Sequence, residues 1–371
     1  MGSKLVVSTS VTPRGRIASA LGVLALMFAC AAGASTAGSR TAPVDRLTLE
    51  QQVGQVLILS FAGTTVPKYV REALREQRVA GVILFGGNVV SPSQLRALTA
   101  ALRAQGGRPL VALDQEGGDI RIVRWAPPAA SEPEQETTGT VGLAARKAGA
   151  ALHAAGITVS LAPVGDVPSV RDAALASRSF SRDPARASRA MAAAVAGWRA
   201  AGIASTAKHF PGLGGATANT DRAPVTIRRA RALLEATDLP PFRAAIRAGV
   251  PLVMVGHARY PALDPTRIAS QSRPIIEGLL RGELGFRGVV ITDSMEARAS
   301  LATGGITAVS ERAVRAGSDL VLLTGRGSYK PVFEHLLAVA RRSPAFRVRI
   351  RQAAGRVLLL KERGAQLVKV G

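Results

Sequence analysis

The sequence predicts an α/β protein that folds as one (β/α)8 barrel of the TIM type, followed by a C-terminal helical tail over residues 329–367. Two observations favour this architecture. Eight short apolar segments recur along the chain, and stretches with helical periodicity separate them. Strands of a parallel sheet are continuously apolar because helices cover both faces, and eight strand–helix units close a barrel of about 250 residues or more. A doubly wound open sheet is the competing architecture.

The predicted strands are the apolar segments, several of which are rich in β-branched residues. They cover residues 56–61, 80–85, 109–114, 157–163, 203–209, 251–257, 288–293 and 319–323. Helical spacing is clearest over residues 69–77, 91–104, 141–155, 185–201 and 228–248. Alternation of strands with helices of this length predicts right-handed βαβ units. The low-complexity stretch 126–138, after the third strand, is expected to be a surface loop.

The segment 1–40 has the composition of a targeting signal. Lys4, Arg14 and Arg16 form a positively charged head, residues 17–33 are apolar, and small residues follow. This order is typical of a secretory signal peptide. We therefore expect an exported protein, which is secreted, periplasmic or attached to the cell envelope and folds over residues 41–371. An uncleaved membrane anchor is the alternative, because the apolar stretch is marginal in length for a bilayer span.

The single cysteine of the chain, Cys30, lies in this targeting segment. One cysteine excludes an internal disulfide bond and a cysteine-based zinc site. Its position is one where a lipoprotein cysteine could carry a lipid and tether the protein to a membrane. Met27 and Phe28, which precede it closely, are bulkier than such a signal favours. Otherwise Cys30 is removed with the signal peptide.

Composition and charge restrict the classes of function. Hydrophobic residues make up 47% and charged residues 20% of the chain, which excludes a disordered or collagen-like protein. The net charge of +23 comes mostly from arginine and permits binding to anionic polymers or lipid headgroups. Nucleic acid is not an expected partner, because only 2 Trp and 3 Tyr are available for base stacking. A basic polyanion-binding module without chemistry is the alternative to an enzyme, and we expect a monomer.

Polar residues follow the predicted strands at their carboxyl ends, where a barrel of this type carries its active site. They are Asp114 after strand three, Asp166 after strand four, Lys208 and His209 at strand five, His257 at strand six and Asp293 at strand seven. A single Asp here could simply cap the next helix, and a single His could be a structural residue. Their number on one rim favours a shared site.

Two chemistries fit such a rim. Glycoside hydrolysis needs a carboxylate nucleophile and a proton donor on either side of an anomeric carbon. A metal-dependent hydrolase would instead hold cations on Lys, His and Asp. The metal chemistry calls for a histidine pair on the first strand, and residues 56–61 contain no histidine. With four histidines in the whole chain, we predict neither a metal nor another cofactor.

Four segments of the chain resemble glycoside hydrolase family 3. They are Asp114-Gln115-Glu116-Gly117-Gly118, Ser177-Arg178-Ser179-Phe180, Lys208-His209-Phe210-Pro211-Gly212 and Ile291-Thr292-Asp293-Ser294-Met295. The resemblance runs from about residue 47 to the final helix and is greatest to the single-barrel bacterial β-N-acetylglucosaminidases of the family. It implies a retaining mechanism with a covalent glycosyl-enzyme intermediate.

The resemblance also implies roles for individual residues. Asp293 corresponds to the family nucleophile, and Asp114 to a residue that accepts hydrogen bonds from sugar hydroxyls. Arg178, Lys208 and His209 correspond to substrate-binding positions.

One further binding position of the family departs from the pattern. A family arginine downstream of the first motif corresponds to Ile122 here. We therefore expect Arg121, or else Arg124, to supply that contact to the substrate.

The proton donor departs most from the family pattern. The related N-acetylglucosaminidases carry an Asp-Ser-His triplet in a mobile loop, and its histidine is the acid/base. The aligned residues here are Asn219, Thr220 and Asp221. Asp221 is the candidate acid/base if a closed, apolar site raises its pKa. Alternatives are a proton donor at Glu296 or Glu116, or a protein that binds sugar without turning it over.

The function implied by the resemblance is release of terminal β-linked N-acetylhexosamine, from cell-wall or related glycans. The expected partner is therefore a carbohydrate substrate containing N-acetylglucosamine. A β-glucosidase-type or arabinosidase-type activity of the same family stays open, because the preference for an N-acetylated sugar comes from the resemblance alone.

Overall fold

A computed structural model describes Gly2 and residues 42–367, with side chains up to residue 363. Contacts divide the chain into Met1–Arg40 and Thr41–Gly371, and the fold described here is that of the second unit. Apart from Gly2, the predicted targeting segment lies outside the described residues, and so does Cys30. Within the described part of the chain, no helix combines the length and the apolar character needed to span a bilayer.

Eight parallel strands form a closed barrel, which confirms the predicted fold class. In chain order they are β1 (Leu57–Ser60), β2 (Gly81–Ile83), β3 (Leu110–Leu113), β4 (Val159–Ser160), β5 (Ala204–Phe210), β6 (Leu252–Val255), β7 (Val289–Ser294) and β8 (Leu320–Leu323). Each strand pairs with its neighbours in the chain, and β8 pairs with β1 through Leu57 and Val321. All carboxyl ends therefore lie at one end of the barrel.

Helices connect and surround these strands. The α-helices are Leu49–Gly54, Lys68–Arg75, Pro92–Arg103, Glu132–Thr137, Val141–Ala154, Pro184–Ala200, Arg231–Leu233, Pro240–Arg247, Arg298–Leu301, Ile306–Ala316, Tyr329–Arg342 and Pro344–Leu367. Short 3-10 helices cover Pro43–Arg46, Gly86–Asn88 and Ala269–Gln271, and π-helical turns cover Leu234–Asp238 and Pro274–Glu283. Two of the longest helices begin where the sequence indicates, with Ser91 and Asp183 as N-caps that accept backbone N–H groups of the first turn.

The interior of the barrel is filled by aliphatic side chains from alternate strand positions. They include Ile58, Val159, Leu252, Ile291 and Leu322, all at most 3% exposed. Val357 and Leu360 of the last helix, Pro344–Leu367, join the same cluster. The C-terminal helix therefore closes the amino end of the barrel and leaves its carboxyl end open.

The predicted surface loop at 126–138 is wrong in part. Residues Glu132–Thr137 form an α-helix, and Glu132 and Gln135 are buried. The Gln135 amide donates hydrogen bonds to the backbone carbonyls of Glu116 (3.0 Å) and Ala130 (2.8 Å). The polar composition of this segment reflects its packing against the loop after β3, where backbone groups need partners away from water.

Candidate active site

A cavity of about 400 Å³ opens at the carboxyl ends of the strands, a volume typical of sites for small molecules. It is lined by six of the seven residues predicted for the site: Asp114, Arg178, Lys208, His209, Asp221 and Asp293. The structure thus brings together side chains that are up to 179 positions apart in the chain, as the position of the polar residues after the strands predicts. Arg121 is the exception.

The loop after β3 turns back at once into a small antiparallel hairpin of Gln115–Gly117 and Ile120–Arg121. Gly117 has φ 115°, and a Cβ atom there would lie 2.1 Å from the carbonyl oxygen of Ala130. Only glycine fits such a close approach at this backbone angle. The glycines of the first motif therefore allow the hairpin to fold against the barrel rim.

A network of buried ion pairs forms one wall of the cavity. The Nζ atom of Lys208, a residue only 2% exposed, lies 2.5 Å from Asp114 Oδ1 and 2.7 Å from Glu116 Oε1. Arg178 donates two parallel hydrogen bonds to Glu116, of 2.9 and 2.7 Å. Two cations therefore share two carboxylates, and each side chain is fixed by at least one charged partner.

Glu116 is the carboxylate that holds this network together. Its burial favours the neutral acid, but the charges of Lys208 and Arg178 outweigh that effect and lower the pKa of Glu116 to about 2. A carboxyl group with this pKa stays ionised and cannot deliver a proton. This makes Glu116 a positioning residue and argues against it as the alternative proton donor.

Glu132, a residue that sequence reasoning missed, lies behind this network. Both of its carboxyl oxygens lie 3.1 Å from the backbone N–H of Val164. Burial and the negative charge of Glu116 raise the pKa of Glu132 well above its ordinary value. Nothing in its local sequence, a run of polar residues, distinguishes it from an exposed glutamate.

His209 is oriented by Asp166, a rim residue for which helix capping was the alternative. Asp166 Oδ2 lies 2.8 Å from His209 Nδ1, and Oδ1 accepts the backbone N–H groups of His209 (3.2 Å) and Leu213 (2.6 Å). Asp166 is 1% exposed. It is therefore a positioning residue that holds both the imidazole ring and the loop after β5.

Consecutive side chains of β5 and β7 line the same cavity, although neighbours along a regular strand face opposite ways. The register of β5 against β6 shifts between Ala207 and Phe210, and Lys208 and His209 lie within this shift. The register of β7 against β8 also shifts, next to Asp293. Such irregularities re-aim side chains and are frequent beside active sites.

Asp293 lies at the end of β7 and faces several positive groups. Burial disfavours its charge, but the charges of His209 and His257 and the backbone N–H of Ser294, 2.7 Å from Oδ1, outweigh burial and lower the pKa of Asp293. The carboxylate is therefore ionised over the neutral pH range. An ionised carboxylate at this place can act as a nucleophile.

His257 has a structural environment. It is fully buried, and its ring nitrogens lie 2.7 Å from Ser270 Oγ and 2.7 Å from the backbone carbonyl of Ser294. Because a carbonyl oxygen only accepts, Nε2 is the donor in the second contact. His257 thus fixes the backbone directly after Asp293.

Asp221 sits on the loop that follows β5 and reaches over the cavity. The backbone carbonyl groups of Thr220 and Asp221 accept hydrogen bonds from Ala299 and Arg298, at 3.1 and 3.2 Å, which anchor the loop to a short helix. The residue is exposed at the rim, yet the protein around its carboxyl group and the charge of Asp293 raise its pKa. Asp221 and Asp293, two of the carboxyl groups that line the cavity, therefore have pKa values shifted in opposite directions.

Glu296, the other alternative proton donor, also lines the cavity. Its Oε2 atom accepts hydrogen bonds from the backbone N–H (2.8 Å) and the hydroxyl (3.2 Å) of Thr324. These contacts tie Glu296 to Thr324 and make it a positioning residue for the loop after β8.

Arg121 lies outside the central cavity. It lines an adjoining groove together with Arg124 and Trp125, and this groove shares Asp114 and Ile120 with the cavity. The separation follows from the hairpin, in which Arg121 pairs with Gln115 while Ile120 faces the cavity. The predicted contact between Arg121 and a sugar in the central cavity is thus not supported by its position.

Comparison with known proteins matches the chain to the family model for the glycosyl hydrolase family 3 N terminal domain over residues 48–360. The chain is 38% identical over 283 residues to a β-hexosaminidase of Stenotrophomonas maltophilia, and the alignment covers 72% of this chain and 83% of that protein. It is 35% identical over 280 residues to a β-hexosaminidase of Nitrosomonas eutropha, with 72% and 80% coverage.

Solved structures give the same result. A family 3 β-N-acetylglucosaminidase from Paenibacillus sp. FPU-7 superimposes with a TM-score of 0.80 and 34% identity, over 86% of this chain and 63% of that one. A β-N-acetylhexosaminidase from Beutenbergia cavernae gives a TM-score of 0.78 and 33% identity, over 85% and 99% of the two chains. The resemblance expected from the four motifs is confirmed.

Proposed function

Because the chain belongs to glycoside hydrolase family 3 and is a glycosidase, we propose that it releases terminal β-linked N-acetylhexosamine with retention of configuration. The names of its relatives, β-hexosaminidase and β-N-acetylglucosaminidase, support this substrate. The observation that carries the mechanism is the pair Asp293 and Asp221, two carboxyl groups in one cavity with pKa values shifted in opposite directions. Environments that separate two pKa values in this way assign a nucleophile and an acid.

The proposed reaction has two steps. In the first, a carboxylate oxygen of Asp293 attacks the anomeric carbon, and the bond to the leaving oxygen breaks as the Asp221 carboxylic acid gives it a proton. In the second, the Asp221 carboxylate takes a proton from water, the water oxygen attacks the anomeric carbon, and Asp293 is released. Each step inverts the configuration, so the product retains it.

The wall formed by the ion-pair network supplies recognition of the sugar. Asp114 accepts hydrogen bonds from ring hydroxyls, and Lys208 and Arg178 donate them. These three side chains are already held by Glu116 and by one another, so little side-chain freedom is lost when a sugar binds. We assign to Asp166 the orientation of His209 toward the same ring.

The test compares an aryl N-acetyl-β-glucosaminide with the aryl β-glucoside in wild type, Asp221→Ala and Asp293→Ala. Asp172→Ala is the matched control, because it removes an exposed carboxylate from the loop after β4 without touching the cavity. We expect preference for the N-acetylated substrate, a loss on the order of 10²–10⁴ in Asp221→Ala, a larger loss in Asp293→Ala, and none in the control. Preference for the glucoside would point to the β-glucosidase-type activity instead.

Added azide separates the two roles. In Asp221→Ala, azide should attack the glycosyl-enzyme and release a β-glycosyl azide, because the intermediate still forms on Asp293. In Asp293→Ala, azide can replace only the nucleophile, which gives the α-glycosyl azide. Rescue with the opposite configurations would exchange the two assignments. A wild-type protein that binds N-acetylglucosamine in calorimetry but hydrolyses neither glycoside would be a sugar-binding barrel without turnover.

We further propose that the protein acts outside the cytoplasmic membrane on cell-wall or related glycans. The proposal is supported by the charged head, the apolar stretch and the small residues of segment 1–40. Mass spectrometry of the protein recovered from the native envelope tests it. A mature chain that begins between residues 31 and 41 indicates cleavage, a lipid mass on Cys30 indicates a lipoprotein, and an intact residue 1 in the cytoplasmic fraction contradicts export.

A further inference from the structure

Two adjoining cavities lie at the amino end of the barrel, opposite the catalytic cavity. Their volumes are about 450 and 440 Å³. They are lined by residues at or just before the starts of strands, among them Leu110 of β3, Ala204 of β5 and Val289 of β7. Gly202, Ala204 and Leu360 belong to both cavities, so the two form one continuous surface beside the last helix, which we call the basal face.

The basal face is strongly positive. Six arginines line it: Arg103, Arg108, Arg199, Arg287, Arg356 and Arg363. Among the described residues that line either cavity, there is no Asp or Glu. A chain with 48 basic and 25 acidic residues has an excess of cations everywhere, but a lining with six arginines and no carboxylate is more one-sided than this average.

Two of these arginines are oriented by hydrogen bonds that do not neutralise them. Arg199 donates to the carbonyl of Ala248 and Arg287 to that of Arg281, both at 2.9 Å. A backbone carbonyl fixes a guanidinium group but carries no net charge. The guanidinium groups of Arg199 and Arg287 therefore stay available for the oxygen atoms of an anion, which they can bind in a bidentate way.

The carboxylate of Asp319, which lies behind the basal face, pairs with three arginines. Asp319 is fully buried and lies 2.6 Å from Arg281, 2.7 Å from Arg349 and 3.0 Å from Arg356. Three guanidinium groups thus surround this carboxylate, and Arg281 also lies 3.5 Å from Glu277, so these five charged groups leave one positive charge in excess. Arg356, which lines the basal face, contributes to this excess.

Apolar surface lies between the charges. Leu359, a large side chain of the last helix, is 51% exposed there, and Ile203 and Phe286 line the same cavity. A soluble polyanion would leave these cavities unfilled. An amphiphile with an anionic phosphate headgroup and hydrocarbon chains would match both the arginines and the apolar walls. Its phosphate can bind the arginines while its chains displace water from the apolar walls.

We propose that the basal face is a binding site for anionic phospholipid, through which the barrel docks on a negatively charged membrane surface. The catalytic cavity opens at the opposite end of the barrel, so a protein docked in this way directs its active site away from the membrane. The inference does not depend on the sugar that the active site takes.

The experiment titrates the full chain with dihexanoyl phosphatidylglycerol below its micelle concentration, by isothermal titration calorimetry. The same titration with dihexanoyl phosphatidylcholine and with soluble polyphosphate distinguishes the chemistry of the ligand. The test variant is Arg199→Gln with Arg287→Gln. The control is Arg228→Gln with Arg273→Gln, which removes the same charge from two exposed arginines in loops at the carboxyl side of the barrel.

We expect phosphatidylglycerol to bind and phosphatidylcholine to bind far more weakly. The test pair should raise the dissociation constant for phosphatidylglycerol at least about tenfold. The control pair should raise it less than about threefold, because its arginines lie at the carboxyl side of the barrel. Residues 1–40 are unchanged in both variants, so any binding by that segment is the same in both. Equal weakening by the two pairs would show an effect of net charge and overturn the site. Equal binding of the two lipids, or binding of polyphosphate alone, would overturn the ligand. Turnover of an aryl glycoside reports that each variant is folded.

Discussion

Lys361 of the last helix allows a prediction of how stability depends on pH. Its side chain is buried, and its Nζ atom donates to Gln55 Oε1 at 2.7 Å and to the carbonyl of Gly107 at 3.4 Å. Neither partner is charged, so burial lowers the pKa of Lys361 from 10.5 to about 7. Between pH 7 and 10.5 the unfolded chain binds this proton and the native state does not.

The sign of the effect follows directly. The native state becomes more stable relative to the unfolded chain as pH rises through this window, and the gain is lost again as pH falls to 7. A pKa difference of this size corresponds to roughly 5 kcal/mol at most. Lys361→Met removes the titrating group and keeps most of the side-chain volume. We therefore expect the variant to exceed wild type in the free energy of unfolding at pH 7, and the difference to shrink towards pH 10.

Guanidinium unfolding at pH 7, 8.5 and 10 measures this difference. The titration of all other groups is common to both proteins, so the comparison isolates Lys361. Lys330→Met, at a lysine whose side chain is 80% exposed, is the control and should change stability by less than about 0.5 kcal/mol at each pH. A difference between Lys361→Met and wild type that is constant over the three pH values would refute the reasoning.

Three further predictions concern charged groups. The kcat/KM profile should fall at high pH as Asp221, whose pKa is raised, loses its proton, and this limb should be absent from Asp221→Ala. Asp166→Asn removes the carboxylate that contacts His209 Nδ1 and should lower kcat/KM roughly tenfold or more, mainly through a rise in KM. The melting temperature of the variant measures any accompanying loss of stability. Asp319→Asn should destabilise the protein by about 3–5 kcal/mol, whereas Asp45→Asn, at an exposed pair, should have no measurable effect in the same unfolding assay.

The barrel was predictable because its signals are local. Each strand is a short aliphatic run, and helices start at recognisable caps such as Ser91 and Asp183. Lys208, His209 and Asp293 could be assigned to one rim once the strands were assumed parallel, since all carboxyl ends then meet. The family motifs added the roles of these residues but not their partners.

The partners of these residues could not be predicted, because each contact joins segments far apart in the chain. Asp166 looks like a helix cap in sequence, and only the fold places it 2.8 Å from His209. Glu132 belongs to a polar stretch that resembles a loop, yet it is buried against Val164. The position of Arg121 depended on one hairpin register, and a change of one residue in register moves a side chain to the other face.

The register shifts in β5 and β7 allow each of these strands to direct two adjacent side chains into the cavity. A regular strand directs every second residue inward, so Lys208 and His209 could not both reach the cavity from a regular β5. With the shift, two adjacent residues supply one cation held by Asp114 and Glu116 and one imidazole held by Asp166. The irregular pairing at the carboxyl ends concentrates the polar groups there. At the amino ends the last helix covers the barrel with aliphatic side chains, and its Arg356, Leu359 and Arg363 form part of the basal face on which we place the lipid.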